Sequence, residues 1–582
     1  MVMAHPSRGF LHTISQFSLR QGLKEFGARA EIGAMKEMKQ LHDMNAFIPR
    51  KFESLTKEER FRALSTLIFL KEKRLTGDIK GRTCVNGAKQ REYIKKEDAA
   101  SPTVATDSVF ITGAIDAHER RHVATCDLPG AFLHTVTDEY VIVVLRGELA
   151  ELMVKVDPSI YRKYISHDRN GKPVLYMQLY KSVYGLMRSA LLFYRKLRGE
   201  LEEYGFQVNP YDSCVANMMV PRSSTDAKPA EEGTADNNDL VQLTVLWHVD
   251  DLKISCVNNL EITKLLLYLK GIYGDKITIN RGKVHEYLGM TLDYTEDGVL
   301  RVHMIPFIDT ILSDFPEVVT KSAPSPHTDN LFRVREESEA RYLPEEQAVA
   351  FHRTVAQLLF LCFRARKDIQ TAVSFLMSRV QKPDEDDWGK VRRVLMYLKG
   401  TKSLPLRLTI EDLSFAKWFI DAAHAVHWDC KGQTGAGMTL GKGAVISFSR
   451  KQKINTKSST ETELVGVDDA MPIVLWTLYF IQAQGYNMTH ALIYQDNKSA
   501  ILLEVNGKMS SSKRTKHIRI KYFFVTDRVE QGDVKIEHKP TGEMWIDMNT
   551  KPKQGTPFRT DRSHMMNCPL NVMDETLLPL ST

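Results

Sequence analysis

Asp250 and Asp251 stand side by side between two runs of strand-forming residues, 241–247 and 252–257. That pattern predicts a β-hairpin with an acid pair at its tip. Two carboxylates held so close repel each other unless a cation lies between them. A pair of Mg²⁺ ions on such carboxylates can align an in-line attack on a nucleoside triphosphate. Asp-Asp is also an ordinary turn, so the dipeptide alone leaves both readings open.

A second set of acids stands further along. Asp421 follows the strand-like run 416–420, and Asp496 follows the strand 491–495 and precedes a helix. Glu463 lies on a helix that Thr460 can cap and that continues to Phe480, with Glu461 as its rival. Asp547 sits in Glu543-Met-Trp-Ile-Asp. A carboxylate at a strand's C-terminal end, repeated and joined by one on a helix, fits a second two-metal phosphodiester site. Each of these acids taken singly reads equally as a surface charge.

The elements that must hold these acids follow from periodicity. Residues 1–75 read mostly as helix, for example 22–44 and 57–72. Residues 79–97 are basic and polar; 103–119 read as a helix leading into the strand 122–126, which Asp127-Leu-Pro-Gly breaks. A strand at 141–145 and an amphipathic helix within 179–203 come next. The polar run 222–239 reads as a loop. Residues 300–410 are helix-rich, with helices at 356–363, 371–380 and 388–398, and a β-rich unit runs from about 416 to 552. The last thirty or so residues look like a tail. The expected division is 1–75, 76–300, 301–412, 413–553 and 554–582.

Bulk properties narrow the class. A chain of 582 residues should hold about two to four cores. It is 43% hydrophobic and 26% charged, with a net charge of +7, which permits nucleic-acid binding without requiring it. Its 7 cysteines are scattered, form no metal-ligand spacing and read as reduced thiols. The N-terminus does not read as a signal peptide, and the longest apolar stretch, 470–481, is too short to span a bilayer and carries a proline. No membrane partner is expected.

The chain also resembles a known family. Asp127-Leu-Pro-Gly-Ala-Phe-Leu, Leu179-Tyr-Lys-Ser-Val-Tyr-Gly-Leu, His248-Val-Asp-Asp, Tyr287-Leu-Gly-Met, Arg366-Lys-Asp-Ile-Gln-Thr-Ala-Val, Lys457-Ser-Ser-Thr-Glu-Thr-Glu, Gln495-Asp-Asn-Lys-Ser-Ala, Arg514-Thr-Lys-His-Ile and Thr550-Lys-Pro occur in this order. They resemble the reverse transcriptase and ribonuclease H portion of copia-type LTR retrotransposon polyproteins, from about residue 30 to 552. The resemblance implies an α+β multidomain fold: a right-hand polymerase of fingers, palm and thumb, then a ribonuclease H-like mixed α/β domain. It divides the chain into an N-terminal lead-in to the fingers (1–75), fingers and palm (76–300), a helical thumb or connection (301–412), the ribonuclease H-like domain (413–553) and a tail (554–582).

The resemblance also implies roles. Asp127, Asp250 and Asp251 match the polymerase acids, and Asp421, Glu463, Asp496 and Asp547 those of ribonuclease H. Each set would hold two Mg²⁺, with Mn²⁺ as a substitute. Phe132 matches the aromatic under the incoming sugar, Tyr184 and Gly185 the nucleotide pocket, Lys80 and Arg82 the basic finger segment, and Gly289 the primer-side turn. Arg514, Lys516 and His517 match a segment facing the hybrid's phosphates. The implied partners are an RNA template, a DNA primer, an RNA–DNA hybrid and deoxynucleoside triphosphates. The implied location is cytoplasmic, with virus-like particles and nuclear access as further compartments.

The chain departs from the family where Met187, Arg188 and Ala190 stand in place of the usual Lys-Gln and following proline. Arg188 could supply the missing charge. No Asp-Ser/Thr-Gly protease triplet, integrase zinc pairs or zinc knuckle is found in the sequence, so the chain reads as a polyprotein's C-terminal piece or an element fragment. Two other readings stay open: a decayed or co-opted nucleic-acid-binding protein without polymerase activity, and a nuclease with a dead polymerase.

Overall fold

The computed structural model describes residues 16–72, 77–222, 240–507 and 519–572. The chain forms two compact units: residues 1–103, 127–206 and 267–278 make the first, and 104–126, 207–266 and 279–582 the second. Both mix helices and sheets.

In the first unit a 7-stranded sheet runs in the order Phe17–Ser18, Leu64–Glu72, Ile142–Arg146, Pro173–Leu179, Phe47–Arg50, with Ile79–Val85 paired to Leu64–Glu72 and Ser166–His167 to Pro173–Leu179. The helix Ala28–Asp43 buries Ala30, Ala34, Met38 and Leu41, one helical face, in a core with Ile68, Leu70, Val143 and Met177. Residues 57–72 are not one helix. Thr56 and Glu59 form a capping box that starts the helix Lys57–Arg62, and Leu64–Glu72 is a strand. Leu64, Thr66, Ile68 and Leu70 are buried at every second position, which is a strand's period and not a helix's. The expected boundary at 75/76 therefore falls inside a paired hairpin, Leu64–Glu72 with Ile79–Val85.

The second unit contains three sheets. The first has 6 strands in the order Thr278–Gly282, His122–Asp127, Asp251–Cys256, Leu240–His248, Val215–Pro221, Gln207–Val208. Next to it in sequence is a 4-stranded sheet of Val284–Tyr287, Met290–Asp293, Leu300–His303 and Leu406–Leu408. Leu300–His303 crosses the expected 300/301 boundary and pairs with Leu406–Leu408, so residues 301–412 are tied at both ends into one sheet. Helices Ile305–Asp314, Glu345–Cys362, Gln370–Met377 and Glu385–Gly400 fill the interval.

The third sheet has 5 strands in the order Ile446–Lys451, Gln433–Thr439, Phe415–Ala423, His490–Gln495, Val534–His538. The first three are antiparallel; Phe415–Ala423, His490–Gln495 and Val534–His538 run parallel. The helix Ser459–Ala483 packs on it closely enough that a Cβ on Gly466 would lie 3.1 Å from the Ala422 Cβ. Its cap is Ser458, not Thr460: the Ser458 hydroxyl accepts from Glu461 N at 3.2 Å. At 25 residues this helix is long and apolar enough to cross a membrane, so the apolar stretch is longer than the sequence suggested. It carries Pro472, and its burial in this unit is that of a core helix.

The expected tail is partly structured. Gly555–Met566 is a helix that buries Phe558, Met565 and Met566, and Met565 O accepts from Ala444 N at 2.8 Å. Its apolar side chains recur at helical spacing, which the prolines and polar residues around them masked. Residues 573–582 lie outside the described residues.

Candidate active site

Asp421 lies in the central strand Phe415–Ala423, Glu463 in the first turns of the helix Ser459–Ala483, and Asp496 directly after His490–Gln495. One carboxylate oxygen from each lies within 4.8 Å of the others. Asp547, on the short turn Trp545–Asn549, adds its charge to Asp421. Asp421, Glu463 and Asp547 are buried. Burial first, and then the Asp547 charge, pushes the Asp421 carboxyl up to about 6. Burial, Asp421 and Asp496 push Glu463 well above the usual carboxylate range.

The Thr550 hydroxyl donates to Asp421, and the Thr541 hydroxyl donates to Asp496 at 2.7 Å. Lys551 Nζ lies 3.6 Å from both Asp421 and Asp547. Burial works against its charge, but Asp421 and Asp547 hold its pKa above the ordinary lysine value. Even so, Glu463 Oε2 and Asp547 Oδ1 are buried with no hydrogen-bond donor among the described residues. Crowded carboxylate oxygens with orphaned lone pairs are what a hard divalent cation satisfies, so the residues present fit such an ion. Glu461 is used elsewhere: it accepts from Lys457 N at 2.7 Å and closes the helix's first turn.

Sequence reasoning gave Thr541, Thr550, Lys551 and Glu504 no role. Lys551 stands four residues after Asp547 within Thr550-Lys-Pro, a motif that was visible, but its place between two acids needs the fold. Glu504 is fully buried behind the cluster, pushed up to about 8 by burial, with Gln495 Nε2 at 3.4 Å.

The other acid pair sits on the 6-stranded sheet. Leu240–His248 and Asp251–Cys256 are antiparallel, with His248 opposite Asp251. Val249 and Asp250 therefore form the turn, and Asp251 opens a strand; only one of the pair is at the tip. Val249 adopts φ +60°, an uncommon conformation for a β-branched residue and a mark of backbone strain at this turn. The buried Tyr287 hydroxyl donates to Asp251 O at 3.4 Å. Two residues along, Lys253 is fully buried and ion-paired with Asp116 of the helix Thr106–His118. Asp251–Cys256 lies beside His122–Asp127 in the sheet order, and Asp127 is that strand's last residue, where the chain re-enters the first unit.

Within the first unit, Phe132 is buried and packs edge-on against Tyr184, ring centroids 4.6 Å apart. The Arg82 guanidinium lies 5.2 Å from the Tyr184 ring centre, and Lys80 shares Arg82's exposed face of Ile79–Val85. Gly185 has φ +94°, and a Cβ there would fall 1.9 Å from Val85 O. Phe132, Tyr184, Gly185 and Arg82 are thus one cluster. Arg188 is ion-paired with Asp138 at 2.8 Å, so its charge already has a partner. In the second unit, Leu288 and Gly289, at φ +51° and +79°, make a tight turn between the paired Tyr287 and Met290. Arg514, Lys516 and His517 lie outside the described residues.

Residues 55–326 match the family described as reverse transcriptase (RNA-dependent DNA polymerase). The retrovirus-related Pol polyprotein from transposon TNT 1-94 of Nicotiana tabacum is 25% identical over 482 residues, 81% of this chain and 33% of that protein. Its counterpart from transposon RE2 of Arabidopsis thaliana is 25% identical over 493 residues, 82% of this chain and 30% of that protein. The chain is thus similar to retrotransposon Pol polyproteins, and the reverse transcriptase match lies within its first 326 residues. The chain spans about a third of the length of these relatives. Among solved structures, the foamy viral protease-reverse transcriptase dRH in complex with ds DNA is similar at 12% identity, covering 88% of this chain and 70% of that one, with a TM-score of 0.46. The reverse transcriptase match contains Asp127, Asp250 and Asp251; Asp421, Glu463, Asp496 and Asp547 lie beyond it.

Proposed function

We propose that this chain is a segment of a copia-type polyprotein and acts as an RNA-directed DNA polymerase with an attached ribonuclease H. The reverse transcriptase match over 55–326 carries the polymerase reading, and the convergence of Asp421, Glu463 and Asp496 within 4.8 Å carries the nuclease reading. In this reading the first unit supplies fingers, the 6-stranded sheet the palm, the helices of 305–400 the thumb, and the 5-stranded sheet with Ser459–Ala483 the ribonuclease H. The substrates are a primed RNA template, deoxynucleoside triphosphates and the RNA–DNA hybrid, and no membrane takes part.

Asp127, Asp250 and Asp251 would hold Mg²⁺ in the polymerase, and Asp421, Glu463, Asp496 and Asp547 in the nuclease. When bound, the ions supply Lewis acidity toward the attacking oxygen and the phosphate. Burial and mutual repulsion raise both the Asp421 and Glu463 carboxyls, and a bound cation would favour their ionised forms. Lys551 offsets part of the remaining negative charge. The Phe132 ring, held by Tyr184, walls the nucleotide pocket against a ribose 2′-hydroxyl. Lys80 and Arg82 face the triphosphate.

A labelled RNA–DNA hybrid tests the nuclease half. Wild-type protein with Mg²⁺ should cut the RNA strand. Asp421→Asn and Glu463→Gln should each lose roughly 100-fold or more of that rate while still binding hybrid. Unchanged cutting in both variants would remove these carboxylates from the reaction.

A further inference from the structure

We infer that a basic cavity in the second unit, apart from both carboxylate sites, binds phosphate groups. The cavity measures about 750 Å³ and lies between the helix Glu385–Gly400 and the chain around 319–333. Lys321, Arg333 and Arg393 line it. Among the described residues none of these three has a carboxylate within ion-pair distance. The acids on the same wall are already taken: Asp386 holds Arg335 through two hydrogen bonds of 2.8 and 2.7 Å, and Glu385 lies 3.9 Å from Arg335 and 3.8 Å from Arg341. Lys321, Arg333 and Arg393 therefore keep an excess of positive charge at the cavity, offset in part by Asp329 beside His327.

Two further observations point to a ligand. Arg393 is fixed by neutral acceptors, donating to Ser325 O at 3.0 Å and Ser325 Oγ at 3.2 Å. Beside it His327, 3% exposed, has a buried Nδ1 with no partner among the described residues. Burial and the Arg393 charge push His327 down to about 4, so at neutral pH it is uncharged and can donate one hydrogen bond. Secondly, Gly389 interrupts the helix Glu385–Gly400 on the cavity wall, where a Cβ would meet nothing within 4 Å. A mid-helix glycine destabilises relative to alanine, and no packing demands this one. It leaves the backbone open to a bulky ligand. Guanidinium and ammonium donors around a space larger than a single ion suit the several acceptor oxygens of a phosphate ester. The phosphates could be those of a nucleic-acid strand or of a free nucleotide, and the inference depends on neither catalytic activity.

Binding of inorganic pyrophosphate by calorimetry and of an RNA–DNA hybrid by fluorescence anisotropy, both on the full chain in EDTA, keeps metal-dependent binding at the carboxylates out of the reading. Gly389→Glu puts a carboxylate into the cavity at a position with room for it. Lys321→Gln/Arg333→Gln removes two exposed cations without disturbing the core. Both variants should weaken pyrophosphate binding by about tenfold or more. If strand phosphates occupy the cavity, Lys321→Gln/Arg333→Gln should also lower the slope of log affinity against log salt for the hybrid by about one to two. Pyrophosphate loss with an unchanged hybrid slope assigns the site to a free phosphate compound, and a lowered slope alone assigns it to a strand. If folded variants bind both probes as the wild type does, or the wild type binds neither, the inference is overturned.

Discussion

A carboxyl that is 1% exposed and faces another acid, as Asp421 does, is disfavoured in its ionised form by folding until a cation arrives, even with Lys551 Nζ 3.6 Å away. Its folded pKa, about 6, lies above the ordinary 3.8, so between those values the native state holds more protons than the unfolded chain. Its contribution to stability is complete below pH 3.8 and is lost as pH rises to about 6. Asp421→Asn should therefore be more stable than wild type in EDTA at pH 7.5, by on the order of 1 to 3 kcal/mol, and close to equal to it near pH 3.5. Thermal unfolding at the two pH values reads this directly. With Mg²⁺ added the wild type should gain more than the variant. A variant less stable than wild type in EDTA at pH 7.5 would show that the carboxylate is satisfied by the protein alone.

The hairpin Leu240–His248/Asp251–Cys256 is anchored through Lys253, whose ammonium is buried against Asp116. Removing Lys253 leaves the buried Asp116 carboxylate with only the Arg121 guanidinium, at 3.8 Å, to offset its charge. Lys253→Met should cost about 3 to 5 kcal/mol in urea unfolding, and Lys253→Met/Asp116→Asn should recover most of that loss. An additive double variant would mean that the two groups act independently. The hairpin was legible because strand-forming residues flank a polar break; its anchor was not, because Asp116 lies 137 residues away. Residues 57–72 misled for a local reason: a capped helix of one and a half turns or so runs straight into a strand, and the charged residues at both ends suit either period. The Ser458 cap was missed among three adjacent hydroxyl residues, Ser458, Ser459 and Thr460, any of which could serve.

The second unit holds Asp250, Asp251 and the Asp421 cluster together. Arg121 donates to Thr244 of one sheet and to Tyr486, past the end of Ser459–Ala483, and the Tyr486 hydroxyl donates to Glu119 at 2.6 Å. From the helical stretch, Lys367, Gln370 and Thr371 donate to Val445 O, Ser447 O and Met548 O, all buried. A chain ending at 412, the boundary drawn from sequence, would lose these bonds and expose the buried surface around them to water. That truncation should aggregate or unfold well below the full chain's melting temperature; a cooperative, equally stable 1–412 fragment would show that the interface is dispensable. The family was legible from whole motifs in order, since acids that build a site sit at element ends with recognisable neighbours. The unit boundaries were not, because they depend on pairings such as Leu300–His303 with Leu406–Leu408 that no local pattern announces. The most direct test is Mg²⁺-dependent incorporation of deoxynucleotides on a primed RNA template, run beside Asp250→Asn/Asp251→Asn, with hybrid cleavage followed in the same preparations. The account predicts extension by wild type, none by the double variant, and RNA cleavage by both. Extension by the double variant, or none by folded wild type that still binds the hybrid, would contradict it.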